Sequence, residues 1–147
     1  VGDFIMSKNK SVKMANITSK HVGKDYSLGS VDCFTLIIDT LKEMDIAIPD
    51  IIYGDLTMDN YSDRFIKDPV GTKKIMVEWL KTFTIKLDKK DILPGDILVL
   101  EDKTVKIMFA GIYTGNSRVM SVSVENGVSI YKLEHFNILE VYRCQQQ

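Results

Sequence analysis

The chain has 147 residues, and 19 Lys+Arg against 20 Asp+Glu leave a formal net charge of −1. With 45% hydrophobic and 27% charged residues, it has the composition of one globular domain long enough to bury a sizeable core. These figures argue against wholesale disorder, against nucleic-acid binding through bulk charge, and against a disulfide scaffold, since two cysteines (Cys33 and Cys144) cannot staple the chain.

In chain order, the opening Val1-Gly2-Asp3-Phe4-Ile5-Met6 is too short and too acidic for a signal peptide. The expectation is synthesis in the cytoplasm without one, with Met6 or Met14 as candidate native starts. No apolar run approaches the roughly 20 residues of a membrane span. Residues 1–20 carry Lys8, Lys10, Lys13 and Lys20 among Ser, Asn and Thr, with no sustained periodicity. They read as a flexible basic arm, or as an arm that orders on a partner. Residues 21–144 read as the folded domain and residues 145–147, all Gln, as a polar tail.

A turn-rich stretch, Gly23 to Ser30, leads to Asp32-Cys33. Cys33, Leu36, Ile37, Leu41 and Met44 recur near a helical period, with Asp32 as the cap and Pro49 as the stop. Residues 50–71 hold Gly54, Asp55, Asn60, Asp63, Pro69 and Gly71 and read as loop with at most one short helix. A second helix places Ile75, Met76, Trp79, Leu80 and Phe83 on one face, capped by Thr72. From residue 84 onward the pattern is of short strands: Ile97–Leu100, Val105–Tyr113, Arg118–Val124, Val128–Tyr131 and Ile138–Arg143. Gly115-Asn116-Ser117 and Asn126-Gly127 supply hairpin turns. Helices followed by an antiparallel meander make an α+β fold.

A cysteine directly after a helix cap has two readings. The partial positive charge of a helix N-terminus favours a thiolate, which still needs a base to act as a catalytic nucleophile. The same cysteine also suits a small buried hydrophobe.

The ordered motifs widen this choice into a family resemblance. Gly23-Lys24-x-Tyr26-x-x-Gly29-x-x-Asp32-Cys33-x-x-Leu36 and Ile46-x-Ile48-Pro49 resemble the opening of NlpC-type cysteine peptidase domains. Leu93-Pro94-Gly95-Asp96, Ala110-Gly111-Ile112-Tyr113, Gly127-Val128-Ser129-Ile130 and Tyr142-Arg143 continue it in order, while residues 51–90 match only loosely. Those domains are papain-like hydrolases of bacterial cell-wall peptides, with phage relatives in tail-tip proteins. The resemblance implies a papain-like α+β domain with Cys33 in the nucleophile position and Tyr26 beside it.

It also implies a loss. The family's catalytic histidine stands two residues before the Gly of Gly-Ile-Tyr, and that position is Phe109. The third polar member lies about twelve residues on, at Ser121. His21 and His135 lie far from both positions in the chain and read as surface or turn histidines. Asp32 reads as a cap rather than an acid, and Trp79 as core or a lid. No spacing suggests a metal, a calcium loop at Asp55, Asp59 and Asp63, a phosphate loop at Gly111 and Gly115, or any cofactor.

The leading expectation is therefore a catalytically degenerate domain that acts as a structural component of an assembly, a phage tail or tail tip, incorporated in a virion. Its partners would be other structural proteins or copies of itself in a symmetric ring, not nucleic acid. Two alternatives stand. One is an active cysteine hydrolase using Cys33 with a non-standard base, His135, His21 or a partner's group. The other is a ligand-binding module in an apolar cleft near Cys33, Phe109 and Met120.

Overall fold

The computed structural model describes residues 13–48 and 54–144, so residues 1–12, Pro49 and the polar tail lie outside the description. Its frame is one antiparallel sheet. The strands are β1 (Thr84–Leu87), β2 (Ile97–Asp102), β3 (Met108–Gly115), β4 (Arg118–Ser123), β5 (Gly127–Lys132) and β6 (Phe136–Cys144), in the spatial order β1-β6-β2-β3-β4-β5. The expected meander holds for β2 to β5. The last strand departs from it: β6 returns to lie between β1 and β2, pairing with both. β3 starts later than expected, because residues 103–105 form a turn and Val105 is exposed.

Alternation along the strands divides the sheet's side chains into two apolar clusters. Ile97, Val99, Ile112, Met120, Val122 and Tyr142 join the main core with the helices. Leu98, Leu100, Val119 and Val141 form a second cluster, with Phe109 and Phe136 packed against it.

Four helices are described. α1, over residues 13–21, corrects part of the expected arm. Met14 and Ile17 are buried in the main core and His21 follows on the same face, at positions i, i+3 and i+7. Lys13 pairs with Asp45 at 2.7 Å and Lys20 with Glu43 at 3.2 Å, so two of the four arm lysines are engaged within the fold.

α2 (Cys33–Glu43) ends earlier than Pro49. Asp45 turns left-handed at φ 60°, and the Ile46 N–H folds back to the Leu41 carbonyl. α3 (Tyr61–Lys67) is followed at once by α4 (Pro69–Lys81). Asp68, not Thr72, caps α4: its carboxylate accepts from the Gly71 N–H at 3.0 Å, and Pro69 occupies the first turn, where its missing N–H costs nothing. Thr72 is instead buried inside the helix. Phe34 on α2 packs against Tyr61 on α3 and Trp79 on α4, each at a ring-centroid distance of 5.2 Å. Trp79 is therefore core, not a lid.

Two tethers fix the sheet's ends. Asp96, in the Pro-Gly-Asp turn before β2, is fully buried and receives Arg143 of β6 in two parallel bonds of 2.8 Å. The Leu93 N–H adds a third, and Arg143 also reaches the Asp91 carbonyl at 2.9 Å. At the other end, the Val128 N–H donates to the Lys24 carbonyl at 2.8 Å and the Gly23 N–H to the Val128 carbonyl at 3.0 Å. Gly127, at φ +64°, lets this strap lie flat, because a side chain there would run into the Lys24 carbonyl.

Removing one partner of a buried ion pair leaves the other charge without compensation. Arg143→Met should lower unfolding free energy by about 3–5 kcal/mol, read from the midpoint and slope of urea denaturation.

A candidate site around the Cys33 thiol

The site begins with a cap. Asp32 precedes α2 in an extended conformation, and its carboxylate accepts from the Thr35 N–H at 2.9 Å while the Asp32 N–H donates to the Thr35 hydroxyl at 2.9 Å. This reciprocal capping box satisfies backbone donors that helix geometry leaves open. The second carboxylate oxygen accepts from the Gly29 N–H at 2.7 Å. Asp32 is only 4% exposed and fully occupied as a cap, as expected.

Cys33 is the first residue of α2, half-buried, and directed at β4. Its sulfur lies 3.6 Å from the Ser121 hydroxyl and 3.5 Å from the Val122 carbonyl. Ser121 donates its own hydrogen to the Ala110 carbonyl at 2.7 Å. The thiol hydrogen therefore points at Ser121 or at Val122. Ser121 can orient the thiol through an oxygen lone pair, but a serine hydroxyl cannot hold the proton at neutral pH.

Two tyrosines flank this point. Tyr26 is held above the ordinary phenol range by burial, then by the Asp32 carboxylate, then by Cys33. Tyr61 is raised further, by burial first and then by the Asp32 carboxylate. Both therefore remain protonated at neutral pH and offer no base.

Beside the thiol lies a cavity of about 380 Å³ between α2, α3, α4, β3 and the turn after β4. Cys33 and Phe109 line it, as the sequence suggested, together with Tyr26 and Asp32, but no histidine does among the described residues. Phe109 contributes to the wall while its ring packs on Phe136 at 4.9 Å in the second cluster. Met120 does not line the cavity; it pairs with Ile112 in register and is fully buried in the main core.

Both histidines are elsewhere. His21 is not a surface residue: it is 3% exposed, with Nε2 at 2.8 Å from the Glu43 carboxylate and Nδ1 at 3.3 Å from the Lys24 amine. Glu43 ends the eleven-residue helix that Cys33 begins, so this cluster sits about 15 Å from the thiol along the axis. His135 is exposed, in the 3₁₀ turn Leu133–His135.

Sequence reading missed the α4 wall: Lys73, Met76, Val77 and Leu80, at positions i, i+3, i+4 and i+7. Met76 and Leu80 were legible as part of a helix face, but not as the wall of a cavity, and Lys73 and Val77 lay outside that face. Lys73 is tied down by a bond of 3.0 Å from its amine to the Met108 carbonyl. Among the described residues, no group of three His, Cys, Asp or Glu side chains is gathered to hold a metal ion. No described helix is long and apolar enough to cross a membrane.

The motif order, the cap-borne thiol and its place against an antiparallel sheet agree with one family model, NlpC/P60, which matches residues 23–145. The chain belongs to the NlpC/P60 family. Among solved structures this NlpC/P60 domain is similar to NlpC1 from Trichomonas vaginalis, at 18% identity and a TM-score of 0.56. That match covers 88% of this chain but 43% of the other, so the domain spans less than half of the protein it resembles, and the likeness is one of fold. No curated protein matches the chain.

Two outcomes test the geometry. Asp32→Ala should destabilise by about 2 kcal/mol through loss of the cap and the N–H groups left unpaired, and should speed alkylation of Cys33 as the turn opens. Burial pushes Glu43 up, but hydrogen bonds from His21 and Lys20 outweigh it and hold its carboxyl below the ordinary range. The stability this gives is complete above the unfolded-state value and is lost as pH falls through the lowered one. Glu43→Gln should therefore flatten the acid limb of a stability-versus-pH curve.

Proposed function

We propose that this chain is a catalytically degenerate NlpC/P60 domain that works by binding rather than by hydrolysis. NlpC/P60 domains are peptidoglycan-related and hydrolase-like, and the nucleophile position is kept as Cys33. The observation that carries the reading is the thiol's surroundings. Cys33 meets a serine hydroxyl and a backbone carbonyl, and no imidazole lines its cavity among the described residues.

Amide cleavage by a thiol needs a group that takes the thiol proton and returns one to the leaving amine. Ser121 and the protonated Tyr26 can do neither. Asp32 is saturated by backbone and hydroxyl donors, and Lys73 is engaged as a donor. His21 is held at the opposite end of α2 by Glu43. Without a general acid–base group the chemical step loses roughly 10²–10⁴-fold.

In this reading the domain is a structural component of a larger assembly. A bacteriophage tail or tail tip is the setting that its compact Tyr26-to-Cys33 motif resembles. Its partners are other structural proteins or further copies of the chain, and it is carried in the virion.

The test is incubation of the purified chain with cell-wall peptides, with Cys33→Ala as the control. The expected result is no amine release above that control over hours. Release that disappears in Cys33→Ala would overturn the reading and restore a cysteine hydrolase with a base outside the family pattern.

A further inference from the structure

The cavity beside Cys33 has a character that loss of catalysis does not explain. Its volume of about 380 Å³ lies within the range of small-molecule sites, roughly 300–1,000 Å³. The walls are almost wholly hydrocarbon: Phe65, Met76 and Val77 on the helical side, and Ile107, Met108 and Ala110 on the sheet side. Its mouth keeps apolar residues in contact with solvent, with Ile107 56% exposed and Val124 70% exposed.

The polar groups in the lining are few and mostly engaged. The Asp32 carboxylate is filled by the cap and the Lys73 amine by the Met108 carbonyl. The Cys33 sulfur already faces Ser121 and the Val122 carbonyl, and the Ser123 hydroxyl accepts from the Asn126 N–H and the Tyr131 hydroxyl, which leaves the hydroxyl of Tyr26 and, at the exposed turn, Glu125.

These features select a ligand class. A peptide carries one N–H and one C=O per residue, and burying these without partners is costly. The hydrocarbon side chains of the walls supply no such partners. A saturated chain has no polar groups to desolvate and gains from every methylene it buries. A volume at the lower end of the small-molecule range suits one chain of medium length. The carboxylates of Asp32 and Glu125 outnumber Lys73 in the lining, so an uncharged head is preferred over a fatty carboxylate.

We infer that the cavity beside Cys33 binds a single medium-length acyl chain carrying a neutral polar head, with the head at Cys33 and Tyr26 and the chain between α4 and β3. The site stands independently of whether Cys33 retains hydrolytic activity, because it rests on the cavity walls and not on the absent imidazole.

The test uses the full chain, titrated with decanoylglycerol below its aggregation concentration. Binding is followed by calorimetry and, separately, by protection of Cys33 from maleimide, read by mass spectrometry. Saturable binding with about one site per chain is expected, with protection following the same curve and decanoate binding more weakly. Ile107→Glu, at an exposed position, should leave the unfolding midpoint in place and weaken binding about tenfold by placing a charge beside the chain. Val77→Trp fills the cavity from α4 and should abolish binding. Cys33→Ala should still bind by calorimetry. Absence of saturable heat, unchanged affinity in a folded Ile107→Glu, or equal protection by a cell-wall peptide would each overturn the assignment.

Discussion

The site depends on the burial of one carboxylate. Asp32 is almost completely removed from water, and an ion so placed is tolerated only if hydrogen-bond donors surround it. Those donors come from both sides of the residue: the Gly29 N–H from the turn before, and the Thr35 N–H and hydroxyl from the helix after. Tyr61 of α3 adds its phenol to the same surroundings. A single charge therefore ties the approach turn, the start of α2 and the position of α3 together. Cys33 follows it directly, so the thiol's direction follows from a constraint that has nothing to do with reactivity.

The sheet meets that thiol through a close pairing of β3 and β4. Gly111 lies opposite the Val119 side chain and the Met120 carbonyl, where a Cβ would collide with both. The close approach lets the Ser121 hydroxyl cross to the Ala110 carbonyl and leaves its oxygen facing Cys33. At the far end of the sheet, the Asp96–Arg143 pair fixes β6 beside the start of β2 in the same manner, with a buried carboxylate saturated by donors from separate segments. Both carboxylates sit at turns entering core elements, where the chain needs a fixed angle of entry.

What the sequence revealed follows from how local each signal is. The Asp32 cap and the hairpin at Asn116-Ser117 are set by neighbours within a few residues and formed where expected, whereas the next hairpin turns through Val124–Asn126, with Gly127 already in β5 opposite Ser123. α1 was hidden because its apolar face is only Met14 and Ile17, set among lysines, and its third buried position is a histidine. A buried His21 needs Glu43, which stands 22 positions away, so no local pattern could reveal it. The insertion of β6 between β1 and β2 is likewise a long-range pairing. At the site, Ser121 was placed with Cys33 by the family resemblance, whereas Met120 was assigned to the cleft although strand alternation turns it into the core. Of the α4 wall, Met76 and Leu80 belonged to the expected apolar face and Lys73 and Val77 did not, because a stripe that closes a core and one that lines a cavity have the same period.

The two unusual properties of the site follow from one physical requirement. An imidazole that accepts a thiol proton becomes a cation, and a cation between hydrocarbon walls pays a desolvation penalty that polar neighbours must offset. Around Cys33 the buried carboxylate, Asp32, is committed to the cap, Glu125 lies out on the exposed turn, and the Lys73 ammonium would repel such a charge rather than stabilise it. A wall of Met, Val, Ile and Phe and a working acid–base pair are thus hard to maintain in one cavity. Placing Ser121 at the thiol, with its hydrogen turned away to Ala110, removes the need for that compensation and leaves the cavity free to remain apolar. In this fold the neutral partner of the thiol and the hydrocarbon lining are two aspects of the same electrostatic balance.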